Sequence, residues 1–192
     1  MTRISFLDFW LAALAGMAVV TGIACGDSTG LLPPIAANEV DTVTFAALQG
    51  TPVGQPSGLD IVNNRVLRTE QGRAFDVAFD FDSTDVAVLV PAGLLGFQAQ
   101  PGWRRSDEEF EAIESAPLED YVTDSTLALA LGDVFIARSR SSSSACSFLG
   151  AVPRYGKFHV LDVNLEERTI RLEFLIDVSC GYRGLQPGFP TR

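Results

Sequence analysis

Three groups of residues in this chain have types and spacing suited to chemistry. His159, the only histidine, stands in Tyr155-Gly156-Lys157-Phe158-His159-Val160. As the base of a Ser-His-Asp hydrolase it would need a nucleophile, and no Gly-x-Ser-x-Gly elbow presents one. It therefore reads as a polar strand residue. Asp80-Phe81-Asp82-Ser83-Thr84-Asp85 gathers three carboxylates, the oxygen-rich pattern that a hard cation such as Ca²⁺ favours, but lacks the glycine and distal Glu of an EF-hand loop. A solvated acidic turn is the plainer expectation, with Asp80, Asp82 and Asp85 as a weak calcium candidate and no catalytic residue among them. Trp103-Arg104-Arg105, after Gln100-Pro101-Gly102, puts an aromatic beside two guanidinium groups that could stack on or clamp an anion. Gly181-Tyr182-Arg183-Gly184 is similar in kind. With Tyr155 and His159, these residues form the candidate ligand-binding set. Glu108, Glu109, Glu111 and Glu114 read as a wet face, although a pair of carboxylates could also serve a glycan hydrolase.

The elements that would hold these residues are short strands. Ile170, Leu172, Phe174, Ile176 and Val178 alternate with Arg171, Glu173, Leu175, Asp177 and Ser179, the period of two of a strand with one buried face. A turn at Asn164 to Arg168 pairs it with Lys157 to Val163. Phe75, Val77, Phe79 and Phe81 alternate with Asp76, Ala78, Asp80 and Asp82, and Val86 to Val90 returns beyond Ser83-Thr84-Asp85. Thr42 to Leu48, Leu59 to Ile61, Arg65 to Arg68, Leu127 to Leu131 and Val134 to Arg138 are further strand candidates, while Gln100 to Arg105 reads as loop. Ser106 to Ser115, opening Ser-Asp-Glu-Glu, predicts a helix of at most a couple of turns. Ser139 to Ser144 reads as a surface loop. The expected fold is all-β, an antiparallel sandwich or open barrel over residues 41–192 with one or two short helices at most.

The N-terminus predicts the compartment. Arg3 precedes the apolar run Phe9 to Ala24, which is too short for the roughly 20 residues of a membrane-spanning helix and has the order of a secretory leader, Met1 to Ala24. Residues 25–40 read as a flexible tether. Arg3 and Asp8 cancel, so the mature chain keeps the net charge of −10, which argues against a nucleic-acid partner. Gly22-Ile23-Ala24-Cys25 resembles the lipobox of bacterial lipoproteins, departing from it at Gly22, where Leu is usual. The resemblance implies diacylglycerol on Cys25 and anchoring in the cell envelope; Gly26 rather than Asp after the Cys resembles the signal for the outer membrane. Setting Cys25 aside leaves Cys146 and Cys180 as a natural pair in an oxidising compartment.

Phe75-Asp76-Val77-Ala78-Phe79, then Phe110, Ile113, Ala116-Pro117, Tyr121 and Asp124, then Val134 to Arg138 and Tyr155-Gly156-Lys157-Phe158 are similar, in order, to segments of the HmuY-like lipoproteins, exported haem-binding β proteins of bacteria. That family holds iron between two His or Met side chains. Here Met1 and Met17 both lie in the leader and His159 stands alone, so bis-His and His-Met ligation are impossible in one mature chain. The expectation is therefore no cofactor, with haem disfavoured. The leading functional expectation is a non-enzymatic, lipid-anchored binding module for a small ligand or surface partner. A structural or adhesive envelope component is second, and a carboxylate-using glycan hydrolase third.

Overall fold

The computed structural model describes residues 32–72, 74–142, 146 and 149–190. The leader, Cys25, the first part of the tether and Ser143 and Ser144 of the Ser-rich run lie outside the described residues. Ten strands form two antiparallel five-stranded sheets: β1 (Val40–Ala46), β2 (Gly58–Asp60), β3 (Arg65–Leu67), β4 (Val77–Phe81), β5 (Ala87–Pro91), β6 (Gly102–Ser106), β7 (Leu127–Leu129), β8 (Val134–Arg138), β9 (Tyr155–Asn164) and β10 (Thr169–Asp177). One sheet has the order β1-β10-β9-β8-β6 and the other β3-β2-β4-β5-β7. The fold is the expected all-β sandwich, and neither sheet closes into a barrel.

The alternation explains the packing. On β10, Ile170, Leu172, Phe174 and Ile176 face inward, meeting Val77, Phe79 and Phe81 from β4 and Leu89 from β5 in one apolar cluster. Phe158 is stacked between Phe135 (centroids 5.0 Å apart) and Phe174 (6.1 Å). Both predicted hairpins form, with Val77 opposite Pro91 and Thr169 opposite Asn164.

The outward faces are less wet than the pattern predicts. Leu175 belongs to a second cluster on the outside of the first sheet, with Phe110, Ile113, Ile136 and Tyr155. Every β4 residue is buried, because Phe75, Ala92 and Ala99 cover Ala78 from outside. The stretch read as a helix gives the end of β6 and a single 3-10 turn, Phe110–Ala112. A continuing helix would pair the Phe110 carbonyl with the amide of residue 114; instead that oxygen accepts from the Lys157 ammonium at 2.8 Å, as does the Ile113 carbonyl at 3.1 Å.

Cys146 and Cys180 form a disulfide with Cα atoms 5.6 Å apart, inside the span such a bridge allows. It joins the loop after β8 to the segment after β10. Within the stretch read as tether, Asn38 bridges Gly188 and Val40 opens β1, so residues 32–40 are fastened to the sandwich.

Candidate functional site

Gly102-Trp103-Arg104-Arg105-Ser106 is an edge strand, because it pairs along the whole of β8 from Gly102 opposite Arg138 to Ser106 opposite Val134. That corrects the loop expected there. Strand alternation then separates the three side chains. Trp103 points into the sandwich core and is 2% exposed, so it offers no stacking surface. Arg104 points outward, pairing at 3.6 Å with the exposed Asp120. Arg105 lies at the end of the strand, where its guanidinium holds Asp133 at 2.8 Å and donates to the Ala128 carbonyl.

Residues 114–116 run beside 183–185 through backbone bonds from Ala116 N to Arg183 O (2.8 Å) and from Leu185 N to Glu114 O (2.7 Å). Arg183 is thereby fixed next to that segment, its Nη1 donating to the Ala116 carbonyl at 2.8 Å. The result is a cleft of about 750 Å³ on the outside of the first sheet, to which Arg104, Arg105 and Arg183 all contribute. Ile136 forms part of its floor, and Asp107, Glu108 and Glu114 bring negative charge to its lining. Local charge is thus mixed, in contrast to the acidic chain as a whole.

The remaining candidates go elsewhere. Tyr182 is buried, with its hydroxyl donating to the Leu32 carbonyl at 2.9 Å. Tyr155 packs in the outer cluster, its ring 6.1 Å from that of Tyr121. His159 sits 3.3 Å from Glu173 Oε2 through Nδ1 and stacks on Phe110, so it faces a carboxylate and a ring, not a hydroxyl or thiol. The acidic turn is also divided. Asp80 is buried and pairs with Arg168 at 3.3 Å, whereas Asp82 Oδ1 accepts from Thr84 N, Thr84 Oγ1 and Val86 N, bonds that hold its carboxyl below the usual range. Asp85 takes the left-handed conformation at the turn (φ 61°). Among the described residues no group of His, Cys, Asp or Glu is placed to hold a metal ion.

Two features were invisible to sequence reasoning. Lys157 is 1% exposed: besides its two carbonyl partners, its ammonium lies 4.5 Å above the Phe110 ring, and desolvation lowers its pKa. It clamps the segment that walls the cleft. Its one sequence signal is that the sole lysine sits on a strand flanked by Tyr155 and Phe158. The second feature is an ionic cluster at the disulfide end. Arg140 reaches from the end of β8 across to the other sheet, donating from Nη1 to Asp76 (2.9 Å) and from Nη2 to Asp60 (2.8 Å), both fully buried. Asn63 Nδ2 and Ile61 N complete the carboxylates at 2.6 and 2.7 Å. Beside it, Arg154 donates to the Val62 carbonyl, and the buried Asp177 accepts from Ser179 N at 2.8 Å. Burial raises the Asp76 carboxyl against the pull of Arg140, and pushes Asp177 up to about 6. A second cleft of about 750 Å³ opens next to this cluster, between residues 97–100 and 138–141, with Gln98, Gln100, Arg138 and Ser141 in its lining.

No protein-family model and no curated protein matches this chain.

Proposed function

We propose that the protein is an exported bacterial lipoprotein, held in the envelope by diacylglycerol on Cys25, whose sandwich captures a small anionic or zwitterionic ligand in the cleft beside β6. One observation carries the binding reading: Arg104 and Arg183, far apart in sequence, line one concave site on a chain of net charge −10. Guanidinium groups recognise carboxylate and phosphate oxygens by paired N–H donors, and the carboxylates of the rim suit a ligand that also carries donors. In this reading the protein acts by binding, and His159, paired with Glu173 and stacked on Phe110, is not part of the cleft lining. The haem that the family resemblance implies does not fit the donors present. Tyr182 spends its hydroxyl on Leu32, Tyr155 is packed against Tyr121, and no second His or Met exists in the mature chain to complete an axial pair with His159.

Two measurements test this reading. Globomycin should leave the precursor uncleaved, and after removal of the leader the chain with Cys25 should enter the detergent phase of a partition and its Cys25→Ala variant the aqueous phase; partition that ignores Cys25 rules out the anchor. A thermal-shift screen of the mature domain against small carboxylates, phosphates and amino acids should give hits that Arg104→Ala and Arg183→Ala weaken at least tenfold, while Arg171→Ala leaves them intact. Hits indifferent to both cleft arginines would place binding elsewhere.

A further inference from the structure

Between Leu32 and Asn38 the chain is fastened to the disulfide end of the sandwich at three points. Leu32 O accepts from the Tyr182 hydroxyl at 2.9 Å, and Ile35 N donates to Ser179 Oγ at 3.2 Å. Asn38 and Gly188 exchange both backbone bonds, at 2.7 and 3.0 Å, while Asn38 Nδ2 donates to the Gly184 carbonyl at 2.8 Å. These bonds bring residues 32–38 and 179–189 together. They also leave three large apolar side chains in water at the point where the chain joins the domain: Leu32 is 55% exposed, Ile35 70% and Phe189 69%. Single exposed apolar residues need no explanation, but these three all lie on the two segments that the bonds join, where the chain meets the domain.

Chain length limits how far the fastened end can stand from the membrane. From Cys25 to Leu32 there are seven residue steps, which in any conformation span no more than about 25 Å. A domain of this length has a radius of gyration of about 15 Å and hence a diameter of about 40 Å. From the fastened segment, β1 leads away to Ala46, opposite Thr169. There Arg168 Nε donates to Gln49 O at 2.7 Å, so the loop carrying Val53 and the β9–β10 turn share the opposite end. With Cys25 in the bilayer, the leash keeps the fastened end near it and leaves the opposite end free to face away.

We propose that the face carrying Leu32, Ile35 and Phe189 rests on a lipid surface, with the disulfide end toward the bilayer and the 49–56 and 164–168 turns directed away. This rests on the reading of Cys25 as the anchor. The patch is too small to bind membrane by itself; the anchor supplies it with a high effective concentration of lipid. Exposed Glu39 and the net charge of −10 select a zwitterionic surface over an anionic one.

With Cys146 and Cys180 bonded to each other, Cys25 is the one free thiol of residues 25–192 when these are produced without the lipid, and can be joined to a maleimide lipid in phosphatidylcholine vesicles. Phe189→Trp, Ile35→Trp and, as control, Val53→Trp are then read against the buried Trp103 background in vesicles with and without brominated lipid. The two reporters on the proposed face should shift to the blue and be quenched at least twofold more than the Val53→Trp reporter. Equal quenching at all three positions overturns the proposal. So does a blue shift that needs no vesicles and grows with protein concentration, which would mean that a second copy covers this face. Because the chemical linker supplies the lipid, failure here counts against the face alone, whereas failure of the anchor reading would show in the Cys25→Ala partition.

Discussion

The space between the two sheets and the disulfide end of the sandwich are held together by opposite physics. The interior cluster is built of aliphatic and aromatic side chains, with the rings of Phe135, Phe158 and Phe174 stacked through its middle. At the end, Asp60, Asp76 and Asp177 are fully buried, and the loop after β8 is tied across by Arg140, Arg154 and the disulfide. Apolar contact is strong but non-directional; it fixes that the sheets pack, with limited say over which loop lies where. A guanidinium between two carboxylates is directional, at the cost of desolvating every charge involved. That cost is visible in the raised carboxyls of Asp76 and Asp177. Arg154 Nε and Asp177 Oδ2 are also without a hydrogen-bond partner among the described residues. The interior supplies stability, and the end supplies position.

The largest expected effects separate these two mechanisms through pH. Phe158→Ala should cost about 3 to 5 kcal/mol in urea denaturation, by lost transfer energy and the cavity left behind, and the loss should be the same at pH 5 and pH 8. Arg140→Met should cost a similar ~3 to 5 kcal/mol at pH 8, because it strands the buried Asp76 carboxylate while Asp60 keeps Arg65 at 3.2 Å, and part of the loss should return at pH 5 as Asp76 takes up a proton. Equal pH profiles for the two variants would break the comparison. Cys146→Ser should cost about 2 to 4 kcal/mol, since the bridge closes a loop of sequence separation 34, and Cys180→Ser should match it without adding to it. Free-thiol labelling of the unfolded, unreduced chain, made without its lipid, gives a direct check: only Cys25 should react.

Asp177 offers a finer test. Its carboxyl is raised from an ordinary 3.8 to about 6 in the folded state, so folding takes up a proton between those values. The stability it supplies is present below about pH 4 and is lost as pH rises through about 6. Asp177→Asn should therefore be more stable than the parent at pH 8, by on the order of 1 to 3 kcal/mol, and should flatten the slope of stability between pH 4 and 6. An unchanged slope would mean that the carboxylate finds compensation the structure does not show. The smallest effect belongs to Arg105→Ala. Its pair with Asp133 is half-exposed and should contribute ~0 to 1 kcal/mol, diminishing with salt.

What could be read from the sequence follows the range of the interactions. The β4–β5 and β9–β10 hairpins were legible because period-two patterns and the turns between them are local. The disulfide was legible by counting. The edge strand β6 was not: Pro101-Gly102 before two arginines looks like a turn, and what makes this segment a strand is β8, more than thirty residues further on. Gly102 serves close approach there, since a Cβ would lie 2.8 Å from Tyr121 Cβ. The role of Asp76 was misread for the same reason. Alternation put it in water, but its partner Arg140 lies 64 residues away and nothing local announces it. The candidate site was half legible. Arg104, Arg105 and Arg183 do share a cleft, whereas the aromatics chosen with them, Trp103 and Tyr182, were drawn into the protein by packing that spacing does not encode.

The order of strands in the first sheet bears on how the molecule assembles in time. β1, the first strand of the described residues, has a single neighbour in its sheet, and that neighbour is β10, the last of them, with Val40 paired to Leu175. Almost the whole domain must be synthesised before this pairing can form. Closing so long a loop places the chain among slow, high-contact-order folders, with times of milliseconds to seconds. A chain that delays its own closure in this way stays threadable for longer, which suits the export proposed above.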